Sequence, residues 1–383
     1  MGPTFLAGTS MTPFGRSDAG LVALAVEAGQ AALRESGVDA ADVDTLYVGS
    51  FLGQSLGRQG VLASLIAREL GLRNVPTTTV EGACASAGIA LRHGMMAVGS
   101  GEARTALCLG VEKLTSYTLE DVTAGLSEAL DGASDQRTGL TFAGFFGLVA
   151  DAHTARYGTT RAQMAAVSIK NRDHGATNPL AMFRKPVTEH DVTNSRLIAD
   201  PLRLLDCSPI SDGAVAAVIT AERPGASVID IAACSQASGP VSLNHIDDLT
   251  TFPATTTAAE MAFRRSDLRP ADVDVVELHD CFTVAEIIDT EDLGLLPRGE
   301  AAAAIEEGVT SRFTEGLLVN PSGGLLSRGH PVGATGLAQI HELRQQLTGT
   351  ATIQRPDAEV ALAHNLGGCG ATATVTILTK DRG

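Results

Sequence analysis

The pattern of apolar and polar positions along the chain occurs twice. Residues 28–50 and 258–280 align without a gap, and each runs from a helical pattern of small apolar residues through an Ala-Asp-Val-Asp turn into an apolar strand. Both stretches follow a strand-like segment and precede a Gly/Ala-rich loop, a helix and further apolar strands. Alternating strands and helices predict parallel or mixed sheets covered by helices. The chain is therefore predicted to be a duplicated α/β protein.

A central stretch does not follow this repeat. Residues 113–208 contain helical patterns of their own, including one that begins after the threonines at 159–160 and ends near a Gly and a Pro. We therefore expect a first half made of residues 1–112 and 209–222, an inserted loop domain over 113–208, and a second half over 223–383. Long insertions on a rigid scaffold often build the mouth of a ligand site.

Composition and charge exclude several classes of function. A chain of 383 residues, 44% of them hydrophobic, is long enough for two or three domains with large cores. The net charge of −16 argues against nucleic acid as a main partner, because phosphate backbones need basic surfaces. The sequence has no apolar run long enough for a membrane span and no signal-peptide pattern at its start. Six scattered cysteines without a C-x-x-C pair favour a reducing cytoplasm over a disulfide framework or a structural zinc site.

Two corresponding loops of the repeat carry candidate catalytic groups. Cys84 lies among small residues in "VEGACASAGIA", just before a helix, and His330 lies in "SRGHPVGATG" of the second half. Taken alone, a free cysteine is more often a small buried hydrophobe. A duplicated fold brings corresponding loops together near one pseudo-twofold axis, so the thiol and the imidazole can meet. A neighbouring histidine and a helix N-terminus then favour the thiolate, which is the nucleophilic form.

A second candidate group follows a strand in the other copy of the repeat. In "VELHDCFTVAEI" the strand is predicted to end near Leu278, which leaves His279, Asp280 and Cys281 at its carboxyl end, where α/β sheets place ligands. His279 can donate a hydrogen bond to a developing oxyanion, and Cys281 can move a proton. Asp280 alternatively caps the following helix. Glycines in "HNLGGCG", residues 364–370, free backbone N–H groups to point at a ligand.

The boxes "ACAS", "HDCF" and "GHPVGATG", in this order and at these spacings, resemble the thiolase superfamily over essentially the whole chain. The "HDCF" box and residues 198–219 resemble its sterol-carrier-protein branch. This resemblance implies duplicated α/β/α layers with two mixed five-stranded sheets covered by helices and an inserted loop domain. It also implies a Claisen-type exchange on coenzyme A thioesters, in which 3-oxoacyl-CoA is cleaved or formed.

The resemblance also implies catalytic roles. Cys84 would be acylated, His330 would take its proton, and His279 together with His330 would polarise the thioester oxygen of the second substrate.

The usual second acid/base, a cysteine in a C-x-G loop, is missing, since Cys369 is followed by Gly370 and Ala371. In the sterol-carrier branch the cysteine of "HDCF" takes that role, which favours Cys281. Cys369 and His364, the residue nearer to the usual position on the terminal strand, remain second choices.

Ligands and partners follow from the same resemblance. We expect acyl-CoA and coenzyme A as substrates, no permanently bound cofactor, no metal, and a role in lipid metabolism. Arg184 and Lys185 are candidates for holding the anionic coenzyme, with a solvated surface role as the alternative. We expect a homodimer or a dimer of dimers. A small zinc-ribbon/OB-fold partner subunit is also expected. The competing functions are a ketosynthase-like C-acyltransferase and a retro-aldolase or scaffold subunit on the same fold.

Overall fold

The computed structural model describes residues 2–223, 225, 228–313 and 315–380. The last three residues of the predicted second half, residues 381–383, lie outside the described residues. The strands are β1 (Phe5–Met11), β2 (Thr45–Gly49), β3 (Thr77–Val80), β4 (Thr105–Glu112), β5 (Leu197–Ala199), β6 (Leu202–Arg203), β7 (Gly213–Thr220), β8 (Ile229–Ser238), β9 (Val275–Glu277), β10 (Leu318–Val319), β11 (Val360–Gly367) and β12 (Thr372–Thr379). The α-helices are α1 (Leu21–Ser36), α2 (Leu62–Glu69), α3 (Ser86–Ser100), α4 (Leu119–Ser127), α5 (Phe142–Tyr157), α6 (Arg161–Gly175), α7 (Glu189–Asn194), α8 (Pro253–Ser266), α9 (Thr283–Asp292), α10 (Ala301–Glu306), α11 (Gly324–Arg328) and α12 (Thr335–Thr348).

The repeated sequence pattern forms the same local structure twice. In the first copy α1 leads through a 3-10 turn at Ala40–Asp42 into β2, and in the second α8 leads through a 3-10 turn at Pro270–Asp272 into β9. Both helices end on a residue in the left-handed conformation, Gly37 with φ 69° and Asp267 with φ 56°. The duplication predicted from the sequence is confirmed at this level.

The sheet differs in one respect from the expectation of two separate five-stranded sheets. The strand order is β10-β9-β11-β12-β8-β1-β7-β4-β2-β3, a single ten-stranded sheet within the described residues. Its two five-stranded halves have matching orders, and they join where β1 and β8 pair antiparallel at Phe5–Asp230 and Leu6–Ile229. The pairing closes the edge that each half would otherwise expose, which explains why the two sheets merge.

Helices cover both halves of the sheet, as the alternating pattern predicts. Helix α1 packs on β1, β7 and β4 of the first half, and α8 packs on β8 and β12 of the second. Helices α3 and α12 contact each other and strands of both halves, so this pair lies between the halves. Strands β4 and β7 are buried along their whole length, which explains their continuous apolar sequences.

The chain between β4 and β7 contains α4 to α7 and the short antiparallel pair β5–β6. The helix predicted after the threonines at 159–160 is α6, and Thr160 and Gln163 form a reciprocal capping box at its start. Helix α6 packs on α9, α10 and α11, the elements that flank two of the candidate histidines. The division of the chain into two halves and an insertion stays a prediction. Within the described ranges, no helix has both the length and the apolar character needed to cross a membrane.

Candidate active site

Cys84 lies in a tight turn at the start of α3. It is the middle residue of a 3-10 turn at Ala83–Ala85 that leads directly into the helix. Ala83 has a left-handed φ of 50°, and the Ser86 hydroxyl holds the turn by donating to the Ala83 carbonyl at 2.6 Å and accepting from the Gly82 amide at 3.0 Å. The turn leaves Cys84 half-buried, with its side chain in a cavity.

His330 lies at the corresponding position of the second half, between α11 and α12. A 3-10 turn at Val332–Ala334 leads from it into α12, and this turn contacts the turn that carries Cys84. The His330 amide donates to the Ser211 hydroxyl at 2.7 Å. Its Nδ1 lies 2.7 Å from the Thr335 hydroxyl, which donates its own proton to the Pro331 carbonyl at 3.2 Å. When the hydroxyl proton is directed to this carbonyl, Nδ1 carries the imidazole proton and Nε2 has a lone pair.

The residues of the "HDCF" box follow β9, and α9 begins soon after them. His279 and Cys281 line the same cavity as Cys84 and His330. The Asp280 side chain turns the other way and accepts from the amides of Leu325 at 2.7 Å and Leu326 at 3.2 Å. Asp280 therefore caps α11, which leads to His330, and the alternative that it caps the helix after Leu278 is wrong.

Three of the predicted residues meet at one point. Cys84, His279 and His330 each place a sulfur or ring nitrogen within 4.8 Å of the others. The two imidazole rings stand nearly perpendicular, with centroids 5.1 Å apart. Such a set of donors could also ligate a metal ion, and the expectation that none is bound stays a prediction.

The cavity that holds these groups is small and mainly apolar, with a volume of about 110 Å³. Its wall away from the histidines is formed by aliphatic and aromatic side chains: Phe51, Leu114, Leu126, Phe142, Phe146, Ile210, Phe282 and Val332. Phe146 stacks on Phe282 with ring centroids 4.6 Å apart, which makes this part of the wall stiff. A larger cavity of about 850 Å³ lies alongside and shares Phe51, Ala129 and Gly368 with it.

Burial keeps the thiol and the imidazole uncharged in the resting site. It raises the pKa of Cys84 to about 12, and the negative charge of Glu112 adds to this rise. Burial, together with the charge of Arg328, lowers the pKa of His330 to about 3. A helix N-terminus and a nearby histidine favour the thiolate. The free-energy cost of removing the thiolate–imidazolium pair from water is larger here than the stabilisation that those two effects provide. The pair is therefore a neutral thiol beside a neutral imidazole base.

Backbone groups face the sulfur. The amide N–H groups of Gly368 and of Cys84 itself point at it and oppose the rise in its pKa. Gly368 belongs to the "HNLGGCG" segment, whose glycines predicted N–H groups directed at a ligand. Glu112, at the end of β4, accepts from the amides of Phe51 at 2.9 Å and Gly333 at 3.1 Å, and so ties the cavity wall to the loop after His330.

The three candidates for the second acid/base differ in whether they line the cavity. Cys281 lines the cavity, and burial raises its pKa well above the usual value, so its thiol is neutral. His364 is fully buried on β11, 2.9 Å from the Thr255 hydroxyl and 3.4 Å from Asp289. Neither His364 nor Cys369 lines the cavity in the part of the chain that the structure describes.

Two predicted residues lie elsewhere. Arg184 and Lys185 are exposed in the loop between α6 and α7 and line neither cavity beside Cys84. The structure thus favours their solvated role. Sequence reasoning missed Phe142 and Phe146 of the cavity wall, for which the "FAGFF" run in an otherwise aromatic-poor chain was the available signal.

Comparisons with known proteins agree with the predicted family and fold. The family model "Thiolase, N-terminal domain" matches residues 4–223, and "Thiolase C-terminal domain-like" matches residues 235–380. The chain is 43% identical over 379 residues to an acetyl-CoA acetyltransferase of Methanothermobacter thermautotrophicus, which covers 97% of this chain and 98% of the relative. It is 36% identical to sterol carrier protein 2 of Oryctolagus cuniculus, over 97% of this chain and 71% of that protein. The solved structure of the Ltp2-ChsH2(DUF35) aldolase superposes with a TM-score of 0.84 at 26% identity, over 100% of this chain and 99% of that one.

Proposed function

The chain belongs to the thiolase family, and from this premise we propose that it is an acyltransferase that cleaves or forms 3-oxoacyl-CoA through an acyl-cysteine on Cys84. The observation that carries the proposal is the meeting of Cys84, His279 and His330 within 4.8 Å in one apolar cavity. The 43% identity to an acetyl-CoA acetyltransferase over nearly the whole chain supports it. Coenzyme A enters as a co-substrate.

The first step uses the neutral thiol–imidazole pair. In the cleavage direction the Cys84 sulfur attacks the 3-oxo carbon while its proton passes to Nε2 of His330. The bond between that carbon and the α-carbon breaks, and its electron pair forms the enolate of the departing acetyl-CoA. His279 stabilises the enolate oxygen. The negative charge that develops on this oxygen is the one that the active site must stabilise most.

Cys281 then completes the proton transfers. Because its thiol is neutral, it can protonate the α-carbon, and it regains a proton from His330. Free coenzyme A attacks the acyl-cysteine, its thiol proton returns to the Cys84 sulfur through His330, and a second acyl-CoA leaves. The same steps in reverse describe condensation. Cys369 and His364 remain second choices for this role.

The size of the cavity favours a short acyl group. The cavity beside Cys84 has a volume of about 110 Å³ and is lined mainly by apolar side chains. Acetyl fits this space, whereas a sterol side chain requires the stacked phenyl rings to move. We propose acetyl and acetoacetyl thioesters as substrates.

The finer expectations about partners and location remain part of this proposal. Strand β3, at the edge of the sheet, is available to pair with a second copy, which supports a homodimer. The structural similarity to the Ltp2-ChsH2(DUF35) aldolase supports a test for a second subunit, for which a zinc-ribbon/OB-fold protein is our candidate. A cytoplasmic location is part of the proposal and is supported by six unpaired cysteines. A role in lipid metabolism follows from the proposed acyl-CoA substrates.

The test is thiolysis of acetoacetyl-CoA by the purified chain. We expect one free coenzyme A to be consumed and two acetyl-CoA to appear per turnover, and no turnover with Cys84→Ser. Cleavage that consumes no coenzyme A, or that survives Cys84→Ser, would favour the aldolase alternative. Light scattering on the same sample gives the oligomeric state and shows whether the chain is active alone.

A further inference from the structure

Asn365 is a buried residue next to the site, and it contacts one of the two catalytic histidines. It lies on β11 and is 1% exposed. Its side-chain nitrogen Nδ2 lies 3.0 Å from Nδ1 of His279. The neighbouring His364 points to the opposite face of the strand and bonds with Thr255.

The orientation of the Asn365 amide follows from its surroundings. Its oxygen faces Gly88 and Gly336, which lie in the first turns of α3 and α12; a Cβ added to Gly336 would lie 2.3 Å from this oxygen, and one on Gly88 would lie 3.2 Å from it. Helix N-termini carry partial positive charge, so they favour the oxygen over the NH2 group. Both glycines make room for the amide oxygen, which has no hydrogen-bond partner among the described residues, and in this orientation the NH2 group faces the imidazole.

This contact determines where His279 carries its proton. An NH2 group can only donate, so Nδ1 of His279 must offer a lone pair, and the single proton of the neutral ring lies on Nε2. Burial, together with the charge of Arg328, lowers the pKa of His279 well below its usual value and keeps the ring neutral. His330 has the opposite arrangement, with its proton on Nδ1 and a lone pair on Nε2.

We propose that Asn365 is a positioning residue that holds His279 in its Nε2–H form, so that the neutral imidazole donates a hydrogen bond to the enolate oxygen. One histidine is then a base and the other a hydrogen-bond donor, although both are neutral. The proposal rests on the proposed function, and it makes Asn365 necessary for carbon–carbon bond cleavage but not for acylation of Cys84 by acetyl-CoA.

The test reverses the direction of the hydrogen bond. In Asn365→Asp the carboxylate can only accept, so at a pH high enough to keep the ring neutral, the proton of His279 moves to Nδ1. Removing one oxyanion donor typically lowers kcat by about 10²- to 10³-fold, and we expect a loss in that range for thiolysis of acetoacetyl-CoA. The loss should shrink at lower pH, where the imidazolium carries both protons. The rate of Cys84 acetylation by acetyl-CoA in a single turnover should stay within a few-fold of the wild-type rate.

Nitrogen-15 NMR of the histidine rings reads the tautomer directly, without activity. We expect His279 of the wild type to carry its proton on Nε2 and His279 of Asn365→Asp to carry it on Nδ1. Asn365→Leu, which adds no charge, keeps the test usable if the aspartate variant does not fold; in it both tautomers should appear. A wild-type proton on Nδ1, or a folded variant with unchanged tautomer and kcat, would overturn the inference. Failure of wild-type Cys84 to be acetylated would instead overturn the proposed function, whatever the NMR result.

Discussion

Replacing Phe142 with alanine tests whether the small cavity beside Cys84 selects the acyl group. Phe142 begins α5, is only partly buried, and forms part of the cavity wall. Removing its phenyl ring enlarges a space of about 110 Å³ while leaving the stacked pair Phe146 and Phe282 in place. The variant should therefore accept longer acyl chains at a modest cost in stability.

The expected magnitude follows from burial. Each additional CH2 group that finds apolar surroundings gains about 0.8 kcal/mol, or about fourfold in kcat/KM. In the wild type a longer chain overfills the cavity, which costs about 1–3 kcal/mol. The acyl groups left on Cys84 by the two substrates differ by two CH2 groups, so together these effects predict that Phe142→Ala shifts the ratio of kcat/KM for 3-oxohexanoyl-CoA over acetoacetyl-CoA by about 10²- to 10³-fold toward the longer substrate.

The assay is thiolysis of both substrates by the wild type and the variant under the same conditions. Phe145→Ala is the matched control, because Phe145 packs edge-on against Phe146 at 5.3 Å but does not line the described cavity. It should lower the free energy of unfolding by about 3–5 kcal/mol and leave the substrate ratio unchanged. An unchanged ratio in Phe142→Ala, or a wild type that already prefers the longer substrate, would show that the small cavity does not select the acyl group.

Three further predictions concern charge and burial. Alkylation of Cys84 by iodoacetamide should become faster as pH rises toward about 12, because that is the pKa of its thiol; a plateau below neutral pH would indicate a thiolate–imidazolium pair instead. The pKa of Glu112 is raised from 4.5 to about 7 by burial, so the folded state holds more protons, and the wild-type free energy of unfolding should fall by about 3 kcal/mol across that window. Glu112→Gln should flatten this slope in urea titrations at several pH values, and an equal slope in both proteins would contradict the assignment. Arg328→Met should cost about 3–5 kcal/mol in the same titrations, since it leaves Glu277, 2.9 Å from the guanidinium, charged and unpaired in the core; a loss below about 1 kcal/mol would show that the pair is not needed.

The repeat was readable from the sequence because local pattern and tertiary placement agree. The Ala-Asp-Val-Asp turns lead from helix to strand in both halves, and the corresponding loops with Cys84 and His330 meet as the duplication predicts. The joining of the two half-sheets could not be predicted from the sequence. It depends on a short pairing between β1 and β8, which are far apart in sequence.

Other features of the site depend on one-residue detail or on burial. His364 and Asn365 are adjacent on β11, and because side chains alternate across a strand, Asn365 faces His279 while His364 faces Thr255. Asp280 was predicted to cap the next helix, but its backbone partners belong to α11, more than forty residues further along the chain. The rise of the Cys84 pKa could not be predicted from the sequence, because burial depends on atoms from every neighbouring element.

The most direct test of the account is the identity and rate of the acyl-enzyme. The protein is mixed with acetyl-CoA, quenched in acid at short times and digested, and the masses of its peptides are measured by mass spectrometry. We expect a single acetyl thioester on the peptide that contains Cys84. In His330→Ala it should form about 10²- to 10⁴-fold more slowly than in the wild type. An acetyl group on another cysteine, or equal rates in the two proteins, would contradict it.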